Sequence, residues 1–255
     1  MTFSYSNTYT SRSVLGGGAA ANAPATIFLV LGQSNARSNS TAADSQNTTV
    51  VTPGYGYHYY PPNDISPIGV HLPGHTTGSF HAAWAQGWCN GGGGTAIMVD
   101  AAVDGASLIA AAQSGSNTWD LADASDHWTA TKKDLCTDAI ASAASNGFAN
   151  SQVYVIWIQG EQDAQAYNGS TVSQSIYETK LDDLFTQIKS DIPAVAGFFI
   201  SELGIRETDV GDDADWASIR SAQAAVVADR SDTHMVYTGA KGFRASANMT
   251  DDLHY

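Results

Sequence analysis

The chain has 255 residues, 43% of them hydrophobic, enough for one sizeable core, and an α/β domain of this length commonly stays single. Eleven Lys and Arg stand against 25 Asp and Glu, a formal net charge of -14. That charge disfavours nucleic acid as a partner, keeps the chain soluble by self-repulsion, and favours neutral glycans over strongly anionic ones.

Residues 1–25 are polar and then Gly- and Ala-rich, which reads as a flexible lead or linker ahead of a folded domain over 26–255. The lead has neither a basic n-region nor a continuous apolar h-region, so no secretory signal is evident. An extracellular place, or a place within a larger surface or virion protein, stays compatible with this composition. No apolar run approaches the ~18 residues of a membrane span, so no membrane partner is expected.

From residue 26 onward, short apolar runs bounded by Gly, Asn and Asp alternate with segments of helical period. Five runs, at 27–31, 95–101, 153–158, 195–201 and 234–238, read as buried strands. Helices are expected near 80–88, 127–145 and 216–227. Another follows from Tyr177, Leu181, Leu184 and Ile188, which recur at spacings that share one helical face. The pattern predicts an α/β fold, a flavodoxin-like three-layer α/β/α sandwich with a five-stranded parallel sheet, whose ligands bind outside the carboxyl ends of the strands. The stretch 38–78 shows no clear element of its own, and loops of that length are usually functional or disordered.

Motifs at the strand ends carry the chemistry. The first run ends Gly32-Gln33-Ser34-Asn35: glycine permits a tight turn, the serine arrives at the sheet edge, and its N–H near a helix start can donate to an oxyanion. A turn serine capping a helix is the plainer reading of that motif alone. The second run leads to Asp104-Gly105, where glycine lets backbone approach a tetrahedral intermediate. The third ends Trp157-Ile158-Gln159-Gly160-Glu161-Gln162-Asp163, bringing an amide and two carboxylates to the same edge. Near the end stands Asp251-Asp252-Leu253-His254, a spacing at which the carboxylate can accept from one imidazole nitrogen while the other faces the serine.

In this order the four motifs resemble the SGNH hydrolase superfamily, specifically its sialate O-acetylesterase and carbohydrate esterase family six branch, over roughly residues 26–255. Similarity extends through residues 80–108 and Ile219-Arg220-Ser221-Ala222-Gln223. The resemblance implies an esterase removing O-acetyl groups from carbohydrate, acetyl-xylan-like polysaccharide or sialoglycan, without a cofactor. It implies that Ser34 attacks, His254 is base and then acid, and Asp251 orients His254. It further implies that Ser34, Gly105 and Gln159 form the oxyanion hole, with Glu161 an additional or alternative acid. Gln33, Asn35, Tyr57 and Tyr59 are candidates for substrate contact; an aromatic ring can stack on a sugar or equally anchor a packed loop. Two features depart from the family pattern. Ala36 and Arg37 follow the serine motif where relatives carry methionine or a similar apolar residue. The sequence also ends one residue past His254, where relatives continue into a helix, so the expectation is either a chain truncated there or another segment in place of that helix.

A general short-chain carboxylesterase and a non-catalytic carbohydrate-binding or structural module are the alternatives. No metal site is expected. His71, His75 and His81 match no zinc spacing and read as hydrogen-bonding loop histidines, and Asp212, Asp213 and Asp215 read as a solvated acidic loop near Glu207. Cys89 and Cys136 lie in helix-like segments and read as ordinary buried thiols rather than a disulfide.

Overall fold

The computed structural model describes residues 24–37, 51–62, 64–68, 80–113, 115, 117–148, 151–206 and 213–240. Among them, β1 (Ala25–Gly32) leads into a single turn, α1 (Ser34–Arg37). After it come β2 (Gly56–Tyr60), β3 (Asp64–Pro67), α2 (Phe80–Asn90), β4 (Thr95–Asp100), α3 (Lys133–Ser145) and β5 (Gln152–Ile158). The rest is α4 (Glu161–Gln165), α5 (Gln174–Asp191), β6 (Val195–Ser201), α6 (Asp213–Asp229) and β7 (Thr233–Tyr237).

The sheet has seven strands in the order β3-β2-β4-β1-β5-β6-β7. All pairings are parallel except that of the edge strand β3 with β2. The five-stranded expectation is therefore too small: each expected run is a strand, and the segment left without an element supplies β2 and β3. Ranked among themselves, the five expected strands lie in the doubly wound order 2-1-3-4-5, which reverses direction at β1.

Burial on both faces explains why β1, β4 and β5 read as continuous apolar runs. From β1, Ile27, Leu29 and Leu31 enter the larger core with Ile97 and Val99 of β4 and Val153, Val155 and Trp157 of β5. Phe28 and Val30 point the opposite way, toward Met98, Ile156 and the α2 residues Ala85, Trp84 and Trp88. Phe28 meets Trp84 and Trp88 edge-on. The larger core is completed by α3, α5 and α6. In α5, Tyr177, Leu181, Leu184, Phe185 and Ile188 are all buried, each side chain contributing roughly 1.5–3 kcal/mol by leaving water. Its N-cap Ser173 accepts from the Ile176 N–H at 3.4 Å.

The remaining expectations resolve locally. The 127–145 segment is α3 preceded by a π-helical turn, Trp128–Lys132. Cys89 and Cys136 are free thiols, but Cys89 is only half-buried. Asp213 and Asp215 are not in a loop: they occupy the first turn of α6, where negative charge complements the helix dipole. Among the described residues no helix is long and apolar enough to cross a membrane.

Gly32 joins β1 to the Ser34 turn under tight contact. Its φ is +133°, and a Cβ built there would lie 1.9 Å from the Ile158 carbonyl oxygen. That oxygen accepts from the Gln33 N–H at 3.0 Å. Gly32→Ala is therefore expected to destabilise the fold by at least about 3 kcal/mol, read as a fall in thermal midpoint. A midpoint within about 2 °C of wild type would contradict this junction.

Candidate functional site at the carboxyl edge of the sheet

Because β4, β1 and β5 are adjacent and parallel, the segments leaving their carboxyl ends meet. Ser34 follows β1 and opens α1, Gly105 lies in the loop after β4, and Gln159 and Glu161 follow β5. This is the point where strand order reverses, the usual ligand crevice of such sheets. The loops are tied by backbone: Ala101 N–H donates to the Val30 carbonyl and Val103 N–H to that of Gly32, each at 3.0 Å. Trp119 Nε1 also donates to the Gly32 carbonyl, at 3.2 Å.

Ser34 is mostly buried, 7% exposed. Its neighbours are held from three directions. Asn35 Nδ2 donates to Glu161 Oε1. The Ala36 carbonyl faces His81 Nε2 at 3.3 Å. Arg37 pairs with Asp104 through NH1 at 2.6 Å, and its Nε lies 3.9 Å from Asp100. Gly105 has φ +65°, and no described atom lies within 4 Å of where its Cβ would be. No backbone carbonyl among the described residues accepts its N–H.

Gln159 is a buried node. Its Nε2 donates to Asp163 Oδ2, to the Ala106 carbonyl at 3.1 Å and to Gln33 Oε1 at 3.2 Å. Its Oε1 accepts from the Tyr177 hydroxyl at 2.9 Å, and its carbonyl accepts from Gln223 Nε2 at 2.9 Å. Gln33 Oε1 also accepts from the Gln162 N–H at 3.3 Å. Asp163, wholly buried, accepts the N–H groups of Leu108 and Ile109 at 2.9 Å each. Burial pushes its pKa up to about 6, against the pull of Leu108, Gln159 and Ile109, with Glu161 adding to the rise. Asp100, raised to about 6 chiefly by burial, is held down in part by Arg37.

The two expected aromatic contacts are packed. Tyr57 and Tyr59 occupy one face of β2: Tyr57 meets Phe148 edge-on, and Tyr59 is buried with its hydroxyl donating to the Pro62 carbonyl at 3.0 Å. His81 is not a loop histidine but a fully buried residue of α2, with its Nδ1 2.8 Å from His58 Nε2. A carbonyl can only accept, so His81 carries its proton on Nε2 toward Ala36, and its Nδ1 accepts from His58. Burial, and then the neighbouring His81, hold the His58 pKa well below the usual histidine value. Among the described residues no group of three or more His, Cys, Asp or Glu could hold a metal ion. His254, Asp251, His71, His75, Asp212 and Glu207 lie outside the described residues.

Reading residue types at strand ends missed Asp163 and Arg37 as organisers. Asp163 stood inside the third motif, but its partners are backbone groups about 55 residues earlier in the chain. Arg37 stood out as a departure from the pattern that the sequence resembles, the signal by which its contacts could have been found.

No family model matches the chain, and no curated protein matches it. Solved structures do. A protein from Arabidopsis thaliana is 19% identical, with a TM-score of 0.62 and 91% of each chain covered. NanS is 14% identical, with a TM-score of 0.60 over 89% of this chain and 81% of its own. XAC1771, a carbohydrate acetylesterase from Xanthomonas citri, is 19% identical, with a TM-score of 0.52 over 83% of this chain and 49% of its own, so this chain spans about half its length. At these identities the likeness establishes a shared α/β fold.

The buried Asp163 carboxyl generates a pH prediction. A carboxylate whose folded pKa is raised to about 6 contributes stability that is complete below its unfolded value of 3.8 and lost as pH rises through about 6. Wild type should therefore lose about 3 kcal/mol relative to Asp163→Asn between pH 4 and pH 7. The opposing titration of His58 and the parallel one of Asp100 largely cancel in the difference. Chemical denaturation of both proteins across that range checks it; a constant difference would remove the raised carboxyl.

Proposed function

We propose that the chain is a serine esterase removing O-acetyl groups from carbohydrate, with Ser34 as nucleophile. The observation that carries this reading is the convergence of Ser34, the unspent N–H of Gly105 and the Gln159 node on three adjacent strand ends at the switch point. The shared fold of the Xanthomonas citri carbohydrate acetylesterase is consistent with it.

In the proposed reaction Ser34 Oγ attacks the acetyl carbonyl as His254 takes its proton, with Asp251 holding the imidazole tautomer. The N–H groups of Ser34 and Gly105 donate to the oxyanion, and Gln159 joins them by giving up the Gln33 Oε1 and Ala106 carbonyl contacts, which frees one Nε2 hydrogen while the other stays on Asp163. His254 returns the proton to the departing sugar hydroxyl. Water, deprotonated by His254, then attacks the acetyl-enzyme and releases acetate. No cofactor is needed. Glu161 steadies the serine turn through Asn35. Gln33 acts from beneath the site through Gln159 and Gln162.

Acetate release from acetylated xylan and sialoglycan panels tests the substrate class, and p-nitrophenyl acetate against the octanoate separates deacetylation from general esterase action. Ser34→Ala and His254→Ala should each lower acetyl-ester kcat by about 10⁴-fold or more with the fold intact; near-normal turnover in Ser34→Ala removes the nucleophile. Wild-type protein that binds glycan but releases no acetate would instead support a non-catalytic module.

The two candidate acids are separated by kcat/KM on one ester. Asp251→Asn should cost more than Glu161→Gln, since an amide at 251 favours the wrong tautomer and cannot stabilise the imidazolium. At Glu161, by contrast, a Gln carbonyl still accepts from Asn35. A larger loss at Glu161 would make it the principal orienting acid.

A further inference from the structure

We propose that Arg37 is a positioning residue: its ion pair with Asp104 clamps the serine turn to the Gly105 turn and sets the separation of the two backbone N–H donors. The inference rests on the esterase reading of Ser34 and Gly105. It concerns a position at which this sequence leaves the pattern it otherwise resembles.

Arg37 closes α1, one turn beyond Ser34, and Asp104 immediately precedes Gly105. The 2.6 Å contact from NH1 to Asp104 Oδ2 therefore links the far end of the nucleophile turn to the peptide that carries the second donor. On its other side the guanidinium Nε lies 3.9 Å from Asp100 Oδ2, at the end of β4. One cation thus touches both ends of the 100–105 loop. Elsewhere the loop is fastened by backbone: Val103 N–H to Gly32, Ala106 N–H to Val103. Between those fastenings Asn117 Nδ2 reaches the Asp104 carbonyl at 3.4 Å, a longer contact than the 2.6 Å ion pair, and Gly105 has φ +65° with no described atom within 4 Å of where its Cβ would be.

The energetic scale favours geometry over stability. The Arg37 and Asp104 side chains are 31% and 43% exposed, and a pair so hydrated contributes little to folding. Its effect on an oxyanion hole is larger in proportion, because donors act mainly in the transition state and a small misplacement there costs rate. A cation held only for folding would lower the melting temperature and leave the kcat of folded protein unchanged. A clamp lowers kcat and spares KM.

The test uses the full chain with p-nitrophenyl acetate, comparing wild type, Arg37→Ala, Asp104→Ala, the conservative Arg37→Lys, and Ser34→Ala. Arg37→Ala and Asp104→Ala should each lose about 10-fold in kcat with KM within about 2-fold. Arg37→Lys, which keeps the cation beside both Asp104 and Asp100, should recover most of that loss, and melting temperatures should move by no more than about 3 °C. Affinity for phenylboronic acid, whose serine adduct is tetrahedral and anionic, should fall in step with kcat. A kcat for Arg37→Ala within about 2-fold of wild type, or an Arg37→Lys no better than Arg37→Ala, overturns the clamp while leaving the nucleophile standing. Near-normal turnover in Ser34→Ala removes Ser34 as nucleophile and the clamp with it.

Discussion

The Asp163 carboxylate has no contact with water and is held by the N–H groups of Leu108 and Ile109 and by the amide of Gln159. Desolvating a carboxylate costs several kcal/mol, and such a group persists only where donors surround it. Here those donors come from the segment beyond Gly105 and from the end of β5. Each bond that offsets the desolvation also fastens one wall of the crevice to the other. Gln159 extends the fastening to Gln33 and Tyr177, and through its carbonyl to Gln223 of α6. The floor of the site is thus one connected polar network laid over an apolar core, and its members are too interdependent for a single contact to stand for the whole.

Above that floor sits a helix of four residues, too short to be stable by its own hydrogen bonds. Three consecutive residues after Ser34 engage three separate elements: Asn35 the start of α4, Ala36 the buried histidine of α2, Arg37 the loop after β4. None of these partners is close in sequence. The serine turn is consequently fixed by tertiary contact rather than by local propensity, so its geometry is only as firm as those contacts. The two inner contacts are buried and the outer one is partly hydrated, which places the adjustable restraint at the rim.

Four of the strands that sequence reading located, β1, β4, β5 and β6, are largely buried, where the apolar run is nearly unbroken; the fifth, β7, is an edge strand with Val236 and Tyr237 exposed, and was legible from its residue types alone. β2 escaped because Gly-Tyr-His-Tyr-Tyr alternates aromatic and polar residues, and its histidine looks solvent-seeking until its partner is known. His58 is buried because His81, 23 residues later, accepts its proton. Helix α5 was legible from four apolar residues on one face, while the acidic start of α6 was read as loop because charge near a helix N-terminus and charge in a solvated turn look alike in one dimension. At the site, Ser34, Gly105 and Gln159 could be placed from strand ends alone. The reach of Gln159 inward to Asp163, rather than solely toward the serine, could not, since it depends on how close the segment containing Leu108 passes.

The same distinction separates what is rigid at this edge from what can vary. Gly32 cannot be replaced without displacing the Ile158 carbonyl, and Asp163 cannot be neutralised without altering three donors. These residues confine the crevice to one shape. Arg37 and Asp104 are under no such constraint, because water can replace either partner at small cost. Substitution at the rim can therefore shift the Ser34 and Gly105 turns relative to each other without disturbing the buried network. The crevice is thus divided: charge and hydrogen bonds locked in the floor, and a hydrated ion pair at the lip.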